Sequence, residues 1–218
     1  MDPAKKPRVL LVYYSFSKQA LRVTDEMAAE FEARGCEVVR AEIEFTDERY
    51  VKRFAAGIPF EHTFRDVFRM LPPQVRRATG DIQIPEVVDS GDFDLVCIGS
   101  PTWWLTTCMP IRSFLKSESA ARLLDGTKFG AYIVCRRYFG NNQKTVKRLA
   151  TAAGGECLDA IHYVFAGGQI RSFLAMISYM QTGETREKVI GIKVPPSNLQ
   201  PGFDEQARSF AGGLVERL

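Results

Sequence analysis

Three apolar runs of strand length punctuate the chain: VLLVYY (Val9 to Tyr14), LVCIG (Leu95 to Gly99) and FGAYIVC (Phe129 to Cys135). Unbroken apolar character predicts strands covered on both faces, as in a parallel sheet between two layers of helices. Two further runs read differently. In CEVVRAEIEF, Val39, Ala41, Ile43 and Phe45 share one face and Arg40, Glu42 and Glu44 the other, while CLDAIHYVF is interrupted by Asp159 and His162. Half-wetted strands belong at sheet edges. Strands two and five in chain order are then the edges. The expected architecture is an α/β three-layer sandwich around a five-stranded parallel sheet of order 2-1-3-4-5.

The intervening segments carry a helical period. In ALRVTDEMAAEFEARG, Leu21, Thr24, Met27, Ala28 and Phe31 recur on one face and Arg22, Asp25, Glu26 and Glu30 on the other, with Gly35 as a stop. MPIRSFLKSE, NNQKTVKRLATAAGG and FDEQARSFAGGLVERL supply further helices. One domain over 7–218 accommodates all of these. Two segments exceed its needs. The stretch 46–92 is long for a single crossover and holds one or two helices rich in Phe and Arg. The stretch 168–190 is unusually apolar. Both are expected outside the sheet or over its mouth. Phe54 could add apolar surface there together with Phe60, Phe64 and Phe68, but the helical spacing of the last three favours plain core packing.

Composition narrows the class. In 218 residues, 45% hydrophobic content suffices for a sizeable core, and no stretch is apolar for long enough to span a bilayer. The basic lead before Val9 resembles a signal peptide, but its apolar part is too short and reads as a first strand. Cys36, Cys97, Cys108, Cys135 and Cys157 are odd in number, scattered and without a CxxC pair, which argues against a disulfide framework or a zinc site and for a reducing cytoplasm. A net charge of +3 with interspersed acids does not call for nucleic acid. His62 and His162 read as surface or structural histidines, and Cys108 as a small apolar filler.

In open parallel sheets ligands bind beyond the carboxyl ends of the strands, where the strand order reverses. Here that point gathers SFSKQA (Ser15 to Ala20), SPTWWLTTCMP (Ser100 to Pro110) and RRYFGNN (Arg136 to Asn142). Unpaired N–H groups at a helix start, with Ser15, Ser17 and Lys18, suit a phosphate, although Ser17 could simply cap the helix. Trp103 and Trp104 offer a flat surface for an aromatic ring system, although either could point inward.

VYYSFSKQALRVTDEM resembles the phosphate-binding segment of flavodoxin-like FMN-binding proteins, and DFDLVCIGSPTWWLTTCMPIRSFL their second, flavin-flanking loop. GTKFGAYIVCRRYFGNN is similar to their fourth strand and third loop. The resemblance implies a flavodoxin-like fold and FMN as cofactor. Ser15, Phe16, Ser17, Lys18, Gln19 and Ala20 would surround the phosphate. Pro101, Thr102, Trp103 and Trp104 would flank the isoalloxazine, with Arg136, Arg137 and Tyr138 closing the far side. The first loop departs from the family pattern Ser/Thr-x-Thr-Gly-x-Thr, with Lys18 at the glycine and Ala20 at the last threonine. No catalytic side chain and no metal are implied, because the flavin carries the redox step. The resemblance implies an FMN-dependent oxidoreductase passing electrons from NAD(P)H to a small acceptor such as a quinone. The alternatives are a one-electron carrier that docks on redox proteins and a site repurposed for non-redox chemistry. Carriers of this kind are usually short and acidic, unlike this chain. SFLAMISYM (Ser172 to Met180) suggests a homodimer contact, a peripheral membrane contact, or burial against the chain's own sheet.

Overall fold

A computed structural model of the chain describes residues 6–50 and 58–218; Phe54 lies outside them. Strand β1 (Arg8–Tyr13) runs into helix α1 (Gln19–Ala33) and strand β2 (Glu37–Glu42). The first extra segment follows, with β3 (Glu44–Phe45), α2 (Thr63–Arg69), α3 (Leu71–Val75) and β4 (Ile82–Gln83). Next come β5 (Leu95–Trp103), β6 (Thr106–Thr107), α4 (Met109–Phe114) and α5 (Glu118–Leu124). The chain continues through β7 (Lys128–Cys135), α6 (Gly140–Ala152), β8 (Glu156–Val164) and α7 (Gln169–Thr182). A small hairpin, β9 (Lys188–Val189) and β10 (Ile192–Lys193), precedes the last helix, α8 (Phe203–Val215).

The main sheet has the parallel order β2-β1-β5-β7-β8, and β6 folds back antiparallel onto the end of β5. The five parallel strands match the expected order, with β2 and β8 at the edges. The central strands are apolar throughout because alternate residues feed two cores. Leu10, Val12, Val96, Ile98, Ala131 and Ile133 pack on the layer holding α4, α5 and α6. Val9, Leu11, Leu95, Cys97, Tyr132 and Val134 pack on α1 and α8. Each fully buried aliphatic side chain contributes about 1.5–3 kcal/mol. The α1 stripe faces this second core as its spacing predicts, although Leu21 is only partly buried. Gly35, at φ +84°, lets the chain reverse there, and the Cys36 N–H donates to the Phe31 carbonyl at 3.0 Å.

The alternating run Val39 to Phe45 does not remain one strand. It breaks at Ile43, whose N–H still donates to the Tyr13 carbonyl at 2.7 Å, and Glu44–Phe45 pair antiparallel with Ile82–Gln83 instead. The same break fixes the two ends of the first extra segment. Buried Asp47 accepts from the Arg49 guanidinium (2.9 Å) and from the Asp81 N–H (3.1 Å), and these donors hold its carboxyl below the usual range. Both extra segments lie over the carboxyl end of the sheet. They are joined where the Phe60 N–H donates to the Met180 carbonyl at 2.7 Å and where α2 packs on α7.

The expectation of core packing holds for only one of the three spaced phenylalanines. Phe60 is buried, while Phe64 and Phe68 are 55% and 46% exposed. Phe60 precedes the helix and so does not share its face; the inward face of α2 is made by Thr63, Asp66 and Val67, with Met70 just beyond. Among the described residues no helix is long and apolar enough to cross a membrane, and no cluster of His, Cys, Asp or Glu could hold a metal.

Candidate functional site

At the carboxyl end of β1 the chain passes through Ser15, Phe16, Ser17 and Lys18 before α1 begins. The cap differs from the simplest reading. Ser15, not Ser17, satisfies an orphan donor, its Oγ accepting from the Leu21 N–H at 2.9 Å. The N–H groups of Ser17, Lys18, Gln19 and Ala20 find no acceptor among the described residues. Four adjacent donors at the positive end of a 15-residue helix suit an anionic group. Phe16 stacks on Phe60 at 5.4 Å, so the first extra segment braces this loop.

Lys18 takes the left-handed conformation (φ +59°, ψ +7°) that the resemblance assigns to glycine. Its side chain is exposed and its Nζ lies 3.6 Å from Glu42 Oε1; it does not line the cavity described below. A charge-assisted lysine contact to a ligand there is therefore absent from this arrangement. Lys18→Gly is expected to raise stability by about 0.5–1 kcal/mol by relieving a left-handed Cβ. The exposed ion pair it loses is worth little. Urea denaturation checks this, with Lys18→Ala as the control that keeps the strain; an equal gain in both variants would assign the effect to the lost charge.

The second loop is a tight hairpin. Thr102 pairs with Thr107 and Trp103 with Thr106, leaving Trp104 and Leu105 as its two central residues. Both have positive φ, +46° and +66°. Such turns ordinarily use Asn and Gly. The geometry is held from several sides. Trp104 Nε1 donates to the Val67 carbonyl at 3.1 Å, its ring meets Phe68 at 5.0 Å, and Asn141 Nδ2 donates to the Leu105 carbonyl at 3.1 Å. Fully buried Asn142 donates to the Ser100 carbonyl (3.2 Å) and Thr102 Oγ1 (3.0 Å) and accepts from Ser100 Oγ (3.0 Å). Both tryptophans are partly buried against the same core, with different partners. Trp103 meets Tyr14 edge-on at 5.6 Å and Phe45 at 6.3 Å, whereas Trp104 also rests on α2.

The third loop contributes cations. Arg136 is half-buried, its Nη1 donating to the Gln169 carbonyl at 3.0 Å and its guanidinium lying 5.0 Å from the Phe173 ring; burial pulls its pKa down. Exposed Arg137 donates to the Gly167 carbonyl at 3.2 Å, and Tyr138 is exposed as well. No carboxylate pairs with either arginine among the described residues.

These three loops meet at one cavity of about 390 Å³. Ser15, Phe16, Ser17, Gln19 and Ala20 line it from the first loop, Pro101, Thr102, Trp103 and Trp104 from the second, and Arg136, Arg137 and Tyr138 from the third. Of the sequence-derived candidates, Lys18 alone falls outside the lining. The opposite wall comes from the two extra segments expected over the mouth, through residues that the sequence did not single out. Val67 and Met70 come from the α2 region and Phe173, Met176, Tyr179 and Met180 from α7. The α7 stripe is legible as a 3–4 spacing, but nothing local says that it faces a cavity. In the apolar SFLAMISYM segment, Ala175, Ile177 and Ser178 are buried, and its aromatic and methionine side chains wall the cavity.

Cys135 lines the cavity, whereas Cys108 is buried in the core; burial pushes both thiols up to about 12, leaving them protonated at neutral pH. His162 stacks face-to-face on Phe139 and its pKa is lowered by burial, a structural environment. Orphan donors at one end, indole surface and apolar walls along the sides, and guanidinium groups that no carboxylate neutralises together suit a flat aromatic ligand carrying an anionic group.

Comparison of the sequence with protein-family models and with curated proteins gives no match. Solved structures do match. A flavoprotein from Lactobacillus acidophilus NCFM, described in complex with FMN, is 18% identical with a TM-score of 0.51, covering 72% of this chain and 93% of its own. A flavodoxin from Streptococcus pneumoniae TIGR4 is 13% identical with a TM-score of 0.51, covering 97% and 99%. Oxidised flavodoxin 1 from Bacillus cereus is 10% identical with a TM-score of 0.52, also covering 97% and 99%. At such identities the likeness establishes the fold alone, and the fold is flavodoxin-like.

Proposed function

We propose that the cavity binds FMN and that the chain is an electron-transfer flavoprotein, acting as an oxidoreductase that takes electrons from NAD(P)H and passes them to a small acceptor such as a quinone. The observation that carries the reading is the convergence of three unpaired backbone donors, those of Ser17, Gln19 and Ala20, and a tryptophan hairpin on one cavity with apolar walls. These N–H groups, with the Ser17 hydroxyl, would hold the phosphate. Trp104 would flank the ring system together with Pro101, Thr102 and the cavity-facing part of Trp103. When bound, FMN supplies the hydride and electron chemistry.

The residues of this chain then bind, orient and shield. Arg136 and Arg137 bring positive charge to the third side, which favours anionic groups on a ligand. Met70, Phe173, Met176 and Met180 exclude water and adapt to a flat apolar molecule. This wall favours the enzyme over the carrier, because a carrier works by presenting its cofactor edge to a partner protein, and here α2 and α7 stand over the mouth. The net charge of +3 points the same way.

The test is NAD(P)H oxidation by the FMN-loaded chain with a soluble quinone and no other flavoprotein. Turnover is expected. Inertness that a separate flavoprotein reductase rescues would assign the chain to the carriers. Failure to bind FMN at all would move the site to non-redox chemistry.

A further inference from the structure

The outer face of α2 and α3 is used, among the described residues, neither by the core nor by the cavity lining. On α2, Thr63, Asp66 and Val67 turn inward, leaving Phe64, Arg65, Phe68 and Arg69 outward. On α3, which follows α2 directly, Val75 is 71% exposed, with Arg76 and Arg77 exposed after it, and Leu105 of the tryptophan hairpin is 56% exposed. The patch is continuous with the cavity mouth. Phe68 meets the Trp104 ring at 5.0 Å, and Trp104 is hydrogen-bonded to Val67, which lines the cavity.

Its charge is one-sided. From Phe64 to Arg77 there are four arginines and one acid, Asp66, which is buried and lies 3.3 Å from Arg65 Nε. Arg69, Arg76 and Arg77 have no carboxylate partner among the described residues. Phenylalanine and arginine side by side, each repeated four residues on, make a surface that is at once apolar and cationic.

We infer that this face docks on an anionic lipid bilayer and holds the cavity mouth at the membrane surface. The pairing of residues decides between partners. Aromatic rings buried at the headgroup boundary, with guanidinium groups beside them on lipid phosphates, match both properties of the patch. A second copy joined through a two-fold would set four arginines against four. A nucleic acid would use the arginines and phenylalanines but gains nothing from exposed Val75 and Leu105. The placement has a chemical consequence that does not depend on which cofactor the cavity holds: an apolar molecule dissolved in the bilayer reaches Val67 and Met70 without crossing water.

The experiment is co-sedimentation of the full chain with vesicles of phosphatidylglycerol and phosphatidylcholine, against vesicles of phosphatidylcholine alone. Binding to the anionic vesicles that high salt weakens is expected. Phe64→Ser/Phe68→Ser and, separately, Arg69→Glu/Arg76→Glu should each reduce it at least about tenfold. The far-UV spectrum of each variant should match the parent, and Phe64→Ser alone and Arg69→Glu/Arg76→Glu, which do not touch the Trp104 hairpin, should also keep the parent's urea midpoint, which excludes loss by misfolding. Absence of binding to anionic vesicles overturns the inference. So does binding that survives both double variants, and so does a concentration-dependent dimer, seen by sedimentation velocity, that Phe64→Ser/Phe68→Ser abolishes while vesicles remain unbound. Binding of a single-stranded oligonucleotide without vesicle binding would transfer the face to nucleic acid.

Discussion

Gly99→Ala is expected to destabilise the fold by about 3 kcal/mol, the largest stability effect of any single methyl added to the central sheet. Gly99 lies on β5 between Tyr13 on β1 and Tyr132 on β7. A Cβ there would overlap the Tyr132 ring, 2.6 Å from Cε2, and Tyr132 is fully buried with nowhere to move. The tyrosine is also a tie. Its hydroxyl lies 2.6 Å from Thr24 Oγ1, which donates in turn to the Ala20 carbonyl at 2.9 Å, so Tyr132 donates to Thr24. The chain Tyr132–Thr24–Ala20 seats the first turn of α1 on the sheet. Displacing the ring therefore adds an unmade buried hydrogen bond to the overpacking and tilts the loop that precedes the helix. A fall in the urea midpoint measures the cost. Gly99→Ala/Tyr132→Leu should recover more than additivity allows, because the two positions are in contact. A cost below about 0.5 kcal/mol in the single variant would show that Tyr132 has room that the packing denies it.

Trp104→Ala is expected to weaken FMN binding about 30-fold, equivalent to about 2 kcal/mol, while Trp103→Ala should chiefly cost stability, about 3 kcal/mol. The contrast follows from where each ring goes. Trp103 packs against Tyr14 and Phe45 of the core. Trp104 occupies a left-handed turn position, at a strain of about 1–3 kcal/mol, and is held there by Val67 and Phe68 at the cavity edge. Strain kept at such a place points to use of the ring. Trp104→Gly separates the two contributions. Relieving the turn should make it more stable than Trp104→Ala by about 1 kcal/mol, yet it should bind FMN no better. Calorimetric titration and urea melts provide both readings. If the two alanine variants lost affinity equally and slightly, the indole surface would not form the binding wall.

The layered sheet was legible because burial on two faces writes unbroken apolar runs, and Val9 to Tyr14, Leu95 to Gly99 and Phe129 to Cys135 are such runs. Edge positions were legible for the opposite reason, from Arg40 and Glu42 on one strand and Asp159 and His162 on the other. Loop positions followed from strand order. Three things were hidden. The break at Ile43 depends on a partner strand, Ile82–Gln83, nearly forty residues away. The hairpin at Trp104–Leu105 has neither Asn nor Gly, so turn chemistry gives no signal for it; its support comes from Asn141 and Asn142 on a different helix. Phe64 and Phe68 look like core by spacing alone, yet Thr63, Asp66 and Val67 form the inward face. Periodicity identifies a stripe, but which side the rest of the chain occupies is a tertiary fact.

The left-handed Lys18 illustrates an intermediate case. Nothing in a lysine announces a positive φ, and only its alignment with a glycine in related loops suggested one. The structure adds that its charge is directed to Glu42, so in the proposed function the phosphate falls to the backbone N–H groups expected at the helix start.

A fluorescence titration of FMN with the purified chain tests the central claim most directly. Saturable quenching at one FMN per chain, with a shifted flavin absorption band, is the expected result, from indole contact and removal from water. FMN emission and absorption unchanged at a large excess of folded protein would contradict the account.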